Sequence, residues 1–290
     1  MKLGVSSYSF RKLVSASEMT DLEVVSKAQE MGFDFVEFSG LVVPDGISLE
    51  DFAVQIKEAC AAANLPILNY TIGANFLQGP GDAWKKEVDR LRGELNIAQL
   101  LGATGMRHDA TFGFPAEHVG ARGFDDALPT LIKGCRAVTE LAADMGIKTM
   151  VENHGFFCQD SERVEKLANG VNHENFGLLV DIGNFLCVDE DPCIAVGRVA
   201  PYAFHVHVKD FLRKSGSHPN PGKGWFRSRG GDYLRGTVLG HGVVQVEACI
   251  GILKRNGYNT GLSIEFEGME PVLDSVADGL DNLRRYEANA

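Results

Sequence analysis

The sequence has no Cys-x-x-Cys pair among its six cysteines, no apolar run near the ~20 residues of a membrane span, and no excess of basic residues. The scattered cysteines, mostly in apolar surroundings, are typical of reduced core thiols in a cytosolic protein. The first ten residues are too few and too polar for a signal peptide. We therefore expect a cytoplasmic protein that neither crosses nor binds a membrane.

The charge balance is acidic. The chain carries 28 Lys and Arg residues against 39 Asp and Glu, a formal net charge of −11. A field of this sign repels nucleic acid and anionic membranes. The 290 residues, 44% hydrophobic and 23% charged, are ordinary for a soluble protein with a full core. We expect a small-molecule partner, and the sequence leaves open whether the chain forms a homo-oligomer.

Strand and helix patterns alternate along the whole chain, with no linker-like change in composition. The predicted strands cover 3–7, 33–38, 66–70, 105–107, 147–152, 176–181, 203–207 and 261–266. The predicted helices cover 21–31, 48–63, 84–101, 125–145, 161–167, 192–199, 246–255 and 272–286. Eight strand–helix units in 290 residues predict an α/β fold, a single-domain (β/α)8 TIM barrel over residues 1–290.

A doubly wound parallel sheet is the alternative fold. It would usually carry a glycine-rich phosphate loop after its first strand. This chain has Ser-Tyr-Ser-Phe-Arg there instead, which favours the barrel.

One segment, at about residues 211–240, interrupts the alternation. It is rich in Gly, Ser, Pro and Arg, and it follows a barrel strand on the face where active sites are built. A structureless loop of this length is usually functional or disordered. We interpret it as a lid over the site, with a solvated loop or an oligomer contact as alternatives. Its basic residues could serve a substrate phosphate or carboxylate, or simply be solvated.

Four predicted strands in the second half of the chain end in metal-binding residue types. These residues are Glu152, Asp181, His207 and Glu265. The carboxyl ends of barrel strands converge on one mouth, and strands five to eight are neighbours. Three carboxylates without a cation would raise one another's pKa. We therefore predict one divalent metal ion at this mouth, with Mn²⁺ or Mg²⁺ favoured and Co²⁺ or Zn²⁺ as alternatives.

Each of these residues has a simpler explanation when taken alone. An acid at a strand end is commonly a helix cap or a surface charge, and a strand histidine is often part of the core. Alternation places His205 and His207 on the same side of their strand. His207 is nearer the strand end and is the better ligand, whereas we expect His205 to lie deeper. Four liganding types at equivalent strand ends rarely coincide by accident.

The segments around these positions are Glu152-Asn-His, Asp181-Ile-Gly-Asn, His205-Val-His-Val-Lys-Asp210 and Ile264-Glu-Phe-Glu-Gly268. They resemble the motifs of the xylose isomerase-like barrels, which include sugar phosphate isomerases, ketose 3-epimerases, inosose dehydratases and endonuclease IV. The resemblance covers essentially the whole chain and is strongest from Glu152 onward. It implies that the epimerase metal ligands are Glu152, Asp181, His207 and Glu265, the same four positions.

The resemblance also implies a chemistry. A divalent ion that holds two adjacent oxygens of a keto sugar acidifies the neighbouring C–H, so that proton removal gives an enediolate. In the epimerases two metal-bound glutamates exchange the proton, and here they would be Glu152 and Glu265. Return to the same carbon gives epimerisation, and return to the next gives isomerisation. We predict a metal-dependent isomerase or epimerase acting on a keto sugar or sugar phosphate.

Three further residues are predicted to bind substrate oxygens, namely His108, His154 and Lys209. His108 follows the fourth strand, and the other two each lie two residues beyond a predicted ligand. Local capping or salt bridging, such as a Lys209–Asp210 pair, is the alternative for each. The role of His241 is left open.

Other functions compete with this prediction. A metal-dependent dehydratase of an inosose or keto-sugar acid would use the same enolisation followed by loss of a β-hydroxyl. A repair nuclease like endonuclease IV would need a second histidine shortly after Asp181, where this chain has Asn184. A non-catalytic barrel is a remote alternative, against which the intact ligand positions count.

Overall fold

All 290 residues are described by the computed structural model. The strands in chain order are β1 Lys2–Ser6, β2 Phe35–Ser39, β3 Ile67–Ile72, β4 Gly105–His108, β5 Lys148–Glu152, β6 Phe176–Asp181, β7 Ala203–Val208, β8 Asp210–Lys214, β9 Phe226–Arg227, β10 Tyr233–Thr237 and β11 Gly261–Ile264. Strands β1 to β7 and β11 form a closed barrel in chain order, with β11 pairing with both β7 and β1. All barrel pairs are parallel. The predicted TIM barrel is confirmed, and the doubly wound sheet is excluded.

Helices surround the barrel. They are α1 Arg11–Ser15, α2 Asp21–Met31, α3 Leu49–Ala62, α4 Trp84–Leu101, α5 Phe124–Asp144, α6 Ser161–Val171, α7 Pro192–Val199, α8 Val246–Arg255 and α9 Val272–Asn289. Helix α2 begins with a reciprocal cap between Thr20 and Glu23, and it ends at Gly32 in the left-handed region, as predicted. No helix combines the length and apolarity that a membrane crossing requires.

The side chains inside the barrel change from aromatic at a deeper level to charged at the mouth. At one level the Phe35 ring fills the space that Gly4 and Gly261 leave open, since a Cβ on either glycine would lie within 2.7 Å of the ring. The His205 ring meets Phe35 edge-on, with 5.8 Å between the ring centroids. His207 is the next inward-facing residue on β7 toward the mouth. The polar side chains therefore rest on a packed floor.

The inserted segment folds into strands, whereas the sequence indicated a long loop. Strands β8, β10 and β9 form a three-stranded antiparallel sheet in that order. The Asp210 carboxylate closes its base by accepting the backbone N–H groups of Gly240, Gly242 and Val244 at 2.8–3.0 Å. Backbone pairing and this carboxylate give regular structure to a segment whose Gly-rich composition indicated a loop.

The far end of the inserted sheet is anchored to loops that follow β5 and β6. Arg229 donates to Asp160 at 2.9 Å and to the Phe156 carbonyl. Ser228 donates to Asp189 at 2.5 Å. The sheet therefore extends from β7 to the neighbouring loops on the mouth side of the barrel.

Candidate metal and substrate site

The four predicted ligands meet at the barrel mouth. Glu152 and Asp181 end β5 and β6, His207 lies near the end of β7, and Glu265 follows the last residue of β11. Their nearest ligand atoms all lie within 4.8 Å of one another. His207 Nδ1 is 3.5 Å from Glu265 Oε1, 3.8 Å from Asp181 Oδ2 and 4.0 Å from Glu152 Oε1. Parallel strands in register produce this convergence.

Glu152 is held between a cation and an amide. Arg107 on β4 places Nη2 2.6 Å from Glu152 Oε2, while the Asn184 amide donates to Oε1 at 2.9 Å. Arg107 also lies 3.0 Å from Asp109. One oxygen is thus fixed by a guanidinium, and the other faces His207.

Asp181 is oriented by backbone groups. Its Oδ1 accepts the N–H groups of Gly183 and Asn184, both at 2.9 Å. Burial and the neighbouring carboxylates of Glu152 and Glu265 raise the pKa of Asp181 to about 7, although Lys209 opposes the rise. Oδ2 is left facing the cluster.

Glu265, like Glu152, has one oxygen facing His207 and the other beside a cation. Its Oε1 faces His207, and its Oε2 contacts the Lys209 ammonium. Burial alone would raise the pKa of Glu265, but Lys209 and His207 outweigh burial and hold it well below its usual range. Lys209 also lies 3.0 Å from Asp181 Oδ2 and 3.1 Å from Glu267 Oε1, so its partners are these carboxylates and not Asp210.

A buried carboxylate on the opposite side of the barrel orients His207. Glu37 of β2 is fully buried, and its Oε1 lies 2.5 Å from His207 Nε2. Its Oε2 lies 2.9 Å from His205 Nε2. Although burial opposes ionisation, the two histidines hold the pKa of Glu37 below its usual range. With Nε2 turned to Glu37, His207 directs Nδ1 into the cluster.

Two of the metal-facing atoms of the cluster are poorly satisfied by the protein. His207 Nδ1 is buried without a hydrogen-bond partner, and Asp181 Oδ2 has only the Lys209 ammonium at 3.0 Å. Buried polar atoms without partners are costly, and those of native structures usually meet a water or an ion. Three carboxylates and one imidazole suit a divalent cation, so these residues fit one. The donor set alone does not select the ion.

The three predicted substrate-binding residues lie in different places. His154 and Lys209 line a cavity of about 130 Å³ at the cluster, the inner cavity, together with Arg107 and both glutamates of the cluster. His108 is fully buried, meets the Phe76 ring edge-on, and does not line this cavity. Burial lowers its pKa to about 4. The structure therefore brings two of the three to the site.

His154 is held by Asp109. Its Nδ1 lies 2.9 Å from Asp109 Oδ1. Burial would lower the pKa of His154, but the Asp109 bond and the Glu152 charge outweigh burial and raise it. The ring lies at the wall of the inner cavity, where an imidazole can donate or accept a hydrogen bond. His241 lies outside this arrangement, on the surface.

Sequence reasoning missed the residues that support the cluster. Glu37 carried the same signal as Glu152, an acid at the end of an apolar strand, but it was not grouped with the others. Arg107 and Asn184 carry no such signal, because neither is an acid or a histidine at the end of a strand. The contacts of these supporting residues depend on which strands face one another in the closed barrel. Only Glu37 therefore has a signal in the sequence.

The chain has relatives of known fold and chemistry. The profile of the xylose isomerase-like TIM barrel family matches residues 25–286. An L-ribulose-5-phosphate 3-epimerase of Salmonella heidelberg (strain SL476) is 24% identical over 292 residues, covering 97% of this chain and 94% of the relative. An inosose dehydratase of Clostridium botulinum (strain Alaska E43 / Type E3) is 31% identical over 140 residues, covering 47% of this chain. The chain spans only 46% of that dehydratase's length.

Among solved structures, the IolI protein with a bound zinc atom superposes with a TM-score of 0.75 at 15% identity, covering 99% of this chain and 98% of IolI. At this identity the likeness shows the fold alone. The family profile, by contrast, spans nearly the whole barrel, from α2 to the last turns of α9. The chain therefore belongs to the xylose isomerase-like TIM barrel family.

Proposed function

We propose that this protein is a divalent-metal-dependent isomerase or epimerase acting on a keto sugar or sugar phosphate through an enediolate. The observation that carries the proposal is the cluster of Glu152, Asp181, His207 and Glu265, whose two glutamates line a polar cavity. Support comes from the sugar-phosphate epimerase that aligns with 97% of the chain.

The four residues of the cluster would hold the ion through Glu152 Oε1, Asp181 Oδ2, His207 Nδ1 and Glu265 Oε1. Mn²⁺ or Mg²⁺ is favoured by the oxygen-rich donor set. When bound, the ion polarises the substrate carbonyl and acidifies the adjacent C–H. Glu37 keeps the imidazole in the tautomer that leaves Nδ1 free.

Proton transfer is assigned to Glu152 and Glu265. They come from β5 and β11, which β6 and β7 separate in the barrel order. Each places one oxygen beside a cation, Arg107 for Glu152 and Lys209 for Glu265. One glutamate takes the proton from the carbon next to the carbonyl, and the other returns one.

Substrate oxygens are assigned to His154 and Lys209, with Arg107 added because it lines the same cavity. All three are cationic donors, or become so on protonation, and they suit the developing negative charge of an enediolate. His108 has no place in this proposal because it is buried away from the cavity. The expected partner is a small carbohydrate, and the cytoplasmic location stays a prediction.

A dehydratase is the second candidate, favoured by the identity to an inosose dehydratase over 140 residues. Loss of a β-hydroxyl needs a proton donor at the leaving oxygen. The Lys209 ammonium lines the inner cavity beside Glu265 and could supply it. Product analysis separates the candidates, because water loss creates an ultraviolet-absorbing enone or a dione and epimerisation does not.

The proposal is tested by hydrogen exchange in D₂O. The chelated protein is reloaded with Mn²⁺, Co²⁺ or Mg²⁺ and incubated with keto sugars, their phosphates and inososes. We expect NMR to show deuterium entering the carbon next to the carbonyl, and the exchange to stop with EDTA and resume when metal is restored. A folded, metal-loaded protein that exchanges none of these compounds would refute the proposal.

The pKa of Asp181 predicts how metal binding depends on pH. Since a carboxylate binds a cation only when deprotonated, Mn²⁺ must displace a proton below about pH 7. We expect the rise in Tm caused by Mn²⁺ to grow between about pH 6 and 8. In the metal-free protein the raised pKa makes the contribution of Asp181 to the free energy of unfolding fall as pH rises from about 4 to about 7.

Scanning calorimetry with and without Mn²⁺ across this range checks both trends. The Asp181→Asn variant is the control, because it should lose the Mn²⁺ effect at every pH. A Mn²⁺ stabilisation that is constant with pH would contradict the prediction.

A further inference from the structure

A second cavity of about 380 Å³, the outer cavity, adjoins the inner cavity. Tyr8 and Glu267 line both. On one side the outer cavity is bounded by Arg11 and Lys12 of α1, and on the other by Gly224 and Phe226 of the inserted sheet. A ligand can therefore continue from the cluster past Tyr8 toward α1.

The wall that the inserted sheet supplies is fixed in place. A Cβ on Gly224, which has φ +82°, would collide with the Met269 side chain. A Cβ on Gly236 would lie 2.7 Å from backbone atoms of Glu267. The inserted segment therefore packs closely against the loop after β11, and this packing forms one wall of the outer cavity.

The two cations of the outer cavity have no acidic partner. Arg11 is exposed and forms no ion pair and no side-chain hydrogen bond, while Lys12 donates to the Gly268 carbonyl. The nearby Asp21 carboxylate accepts the backbone N–H of Val42 instead. The only carboxylate lining the cavity is Glu267, which already contacts Lys209 at 3.1 Å. On a protein of net charge −11 this is a local excess of positive charge facing a cavity.

Tyr8 marks the junction of the two cavities. Burial raises the pKa of its phenol, and the carboxylates of Glu267 and Glu265 raise it further. Tyr8 lines the inner cavity together with Glu265 and Glu267, and its phenol is a hydrogen-bond donor for a ligand that spans the two cavities.

Size supports a ligand that occupies both cavities. Small-molecule sites are usually about 300–1,000 Å³. The inner cavity, which holds the cluster, is smaller than this range, so a ligand of ordinary size at the cluster would extend into the outer cavity.

We propose that the outer cavity binds an anionic group, phosphate or carboxylate, at the far end of the sugar whose reacting end occupies the inner cavity. The inference rests on the function proposed above and names its substrate class. Arg11 is the main determinant because its guanidinium is free to bind two oxygens of such a group. Lys12 adds charge while tethered to Gly268.

Exchange in D₂O tests this on the Mn²⁺-loaded protein with three substrates: a pentulose, its 5-phosphate and a keto-sugar acid. We expect kcat/KM to be at least about tenfold higher for an anionic substrate than for the pentulose. Arg11→Gln should reduce that ratio about tenfold, and Arg11→Lys should retain much of it. Arg92→Gln, which removes an exposed charge from α4, should leave the ratio unchanged.

The substrates also identify the anion, since a preference for the 5-phosphate indicates phosphate and a preference for the acid indicates carboxylate. Inorganic phosphate, titrated by calorimetry, should bind more weakly to Arg11→Gln than to Arg92→Gln if phosphate is the anion. Equal kcat/KM for charged and neutral substrates would overturn the inference and leave the proposed function intact. Absence of exchange with all three would instead count against the proposed function.

Discussion

Replacing Glu265 by glutamine is expected to lower the rate of deuterium exchange about 10³-fold. The amide keeps the shape of the side chain but cannot take a proton from carbon. It also removes the negative charge that faces His207 and contacts Lys209. The loss should appear in kcat at saturating Mn²⁺, with metal content measured on the same sample.

Glu58→Gln is the matched control, because it makes the same chemical change on the exposed surface of α3. It should exchange deuterium at the wild-type rate. If Glu265→Gln kept more than about a tenth of wild-type exchange at full metal occupancy, the assignment of Glu265 to proton transfer would be wrong. Unchanged far-ultraviolet circular dichroism would show that the barrel is intact.

Replacing Glu37 by glutamine is expected to weaken Mn²⁺ binding about 10- to 100-fold. Glu37 does not face the proposed ion, and it acts through His207, whose Nε2 it holds at 2.5 Å. The neutral amide no longer supports a basic imidazole, and it can present an N–H where an acceptor is needed. Titration of the metal-free protein with Mn²⁺, followed by electron paramagnetic resonance, measures the change.

Glu87→Gln provides the comparison for the loss of a buried carboxylate. Glu87 is buried on α4, where it binds Arg90, Gln78 and the Asn75 N–H. Its replacement should reduce the free energy of unfolding without changing Mn²⁺ affinity. Equal Mn²⁺ affinities for Glu37→Gln and wild type would show that His207 does not depend on Glu37. Ser263 donates to Glu37 Oε1, the oxygen that also contacts His207, at 3.1 Å. Ser263 remains as a hydrogen-bond partner in Glu37→Gln.

Much of the fold could be predicted because its signals are local. Helices α2, α4, α7 and α8 have the predicted bounds, since the apolar spacing that indicates a helix lies within each segment. The inserted segment shows the limit of such signals. Its glycines and prolines suggested a loop, but pairing between β8 and β10 and the Asp210 cap supply order that composition does not show.

The candidate site likewise has a part that could be predicted from the sequence and a part that could not. The acid or histidine at the end of each of four strands was visible in the sequence, and parallel register then brought the four together. His108 was expected at the mouth because it follows the same rule at β4, but its side chain is buried against Phe76 and Arg107 faces the site instead. Neighbouring strand residues point to opposite sides, so an error of one residue exchanges the two.

By itself the sequence determined the barrel, its family and the four candidate ligands, because strand periodicity and motif spacing are properties of short segments. Only the tertiary structure decided which groups support those ligands. Glu37 reaches His207 from a strand on the other side of the barrel, and Lys209 turns from its neighbour Asp210 toward Glu265. The tertiary structure also places Arg11 on the outer cavity, whose other wall comes from the inserted segment. Barrel closure brings these residues together from distant parts of the chain. A pattern within a short segment cannot show which distant residues will become contacts.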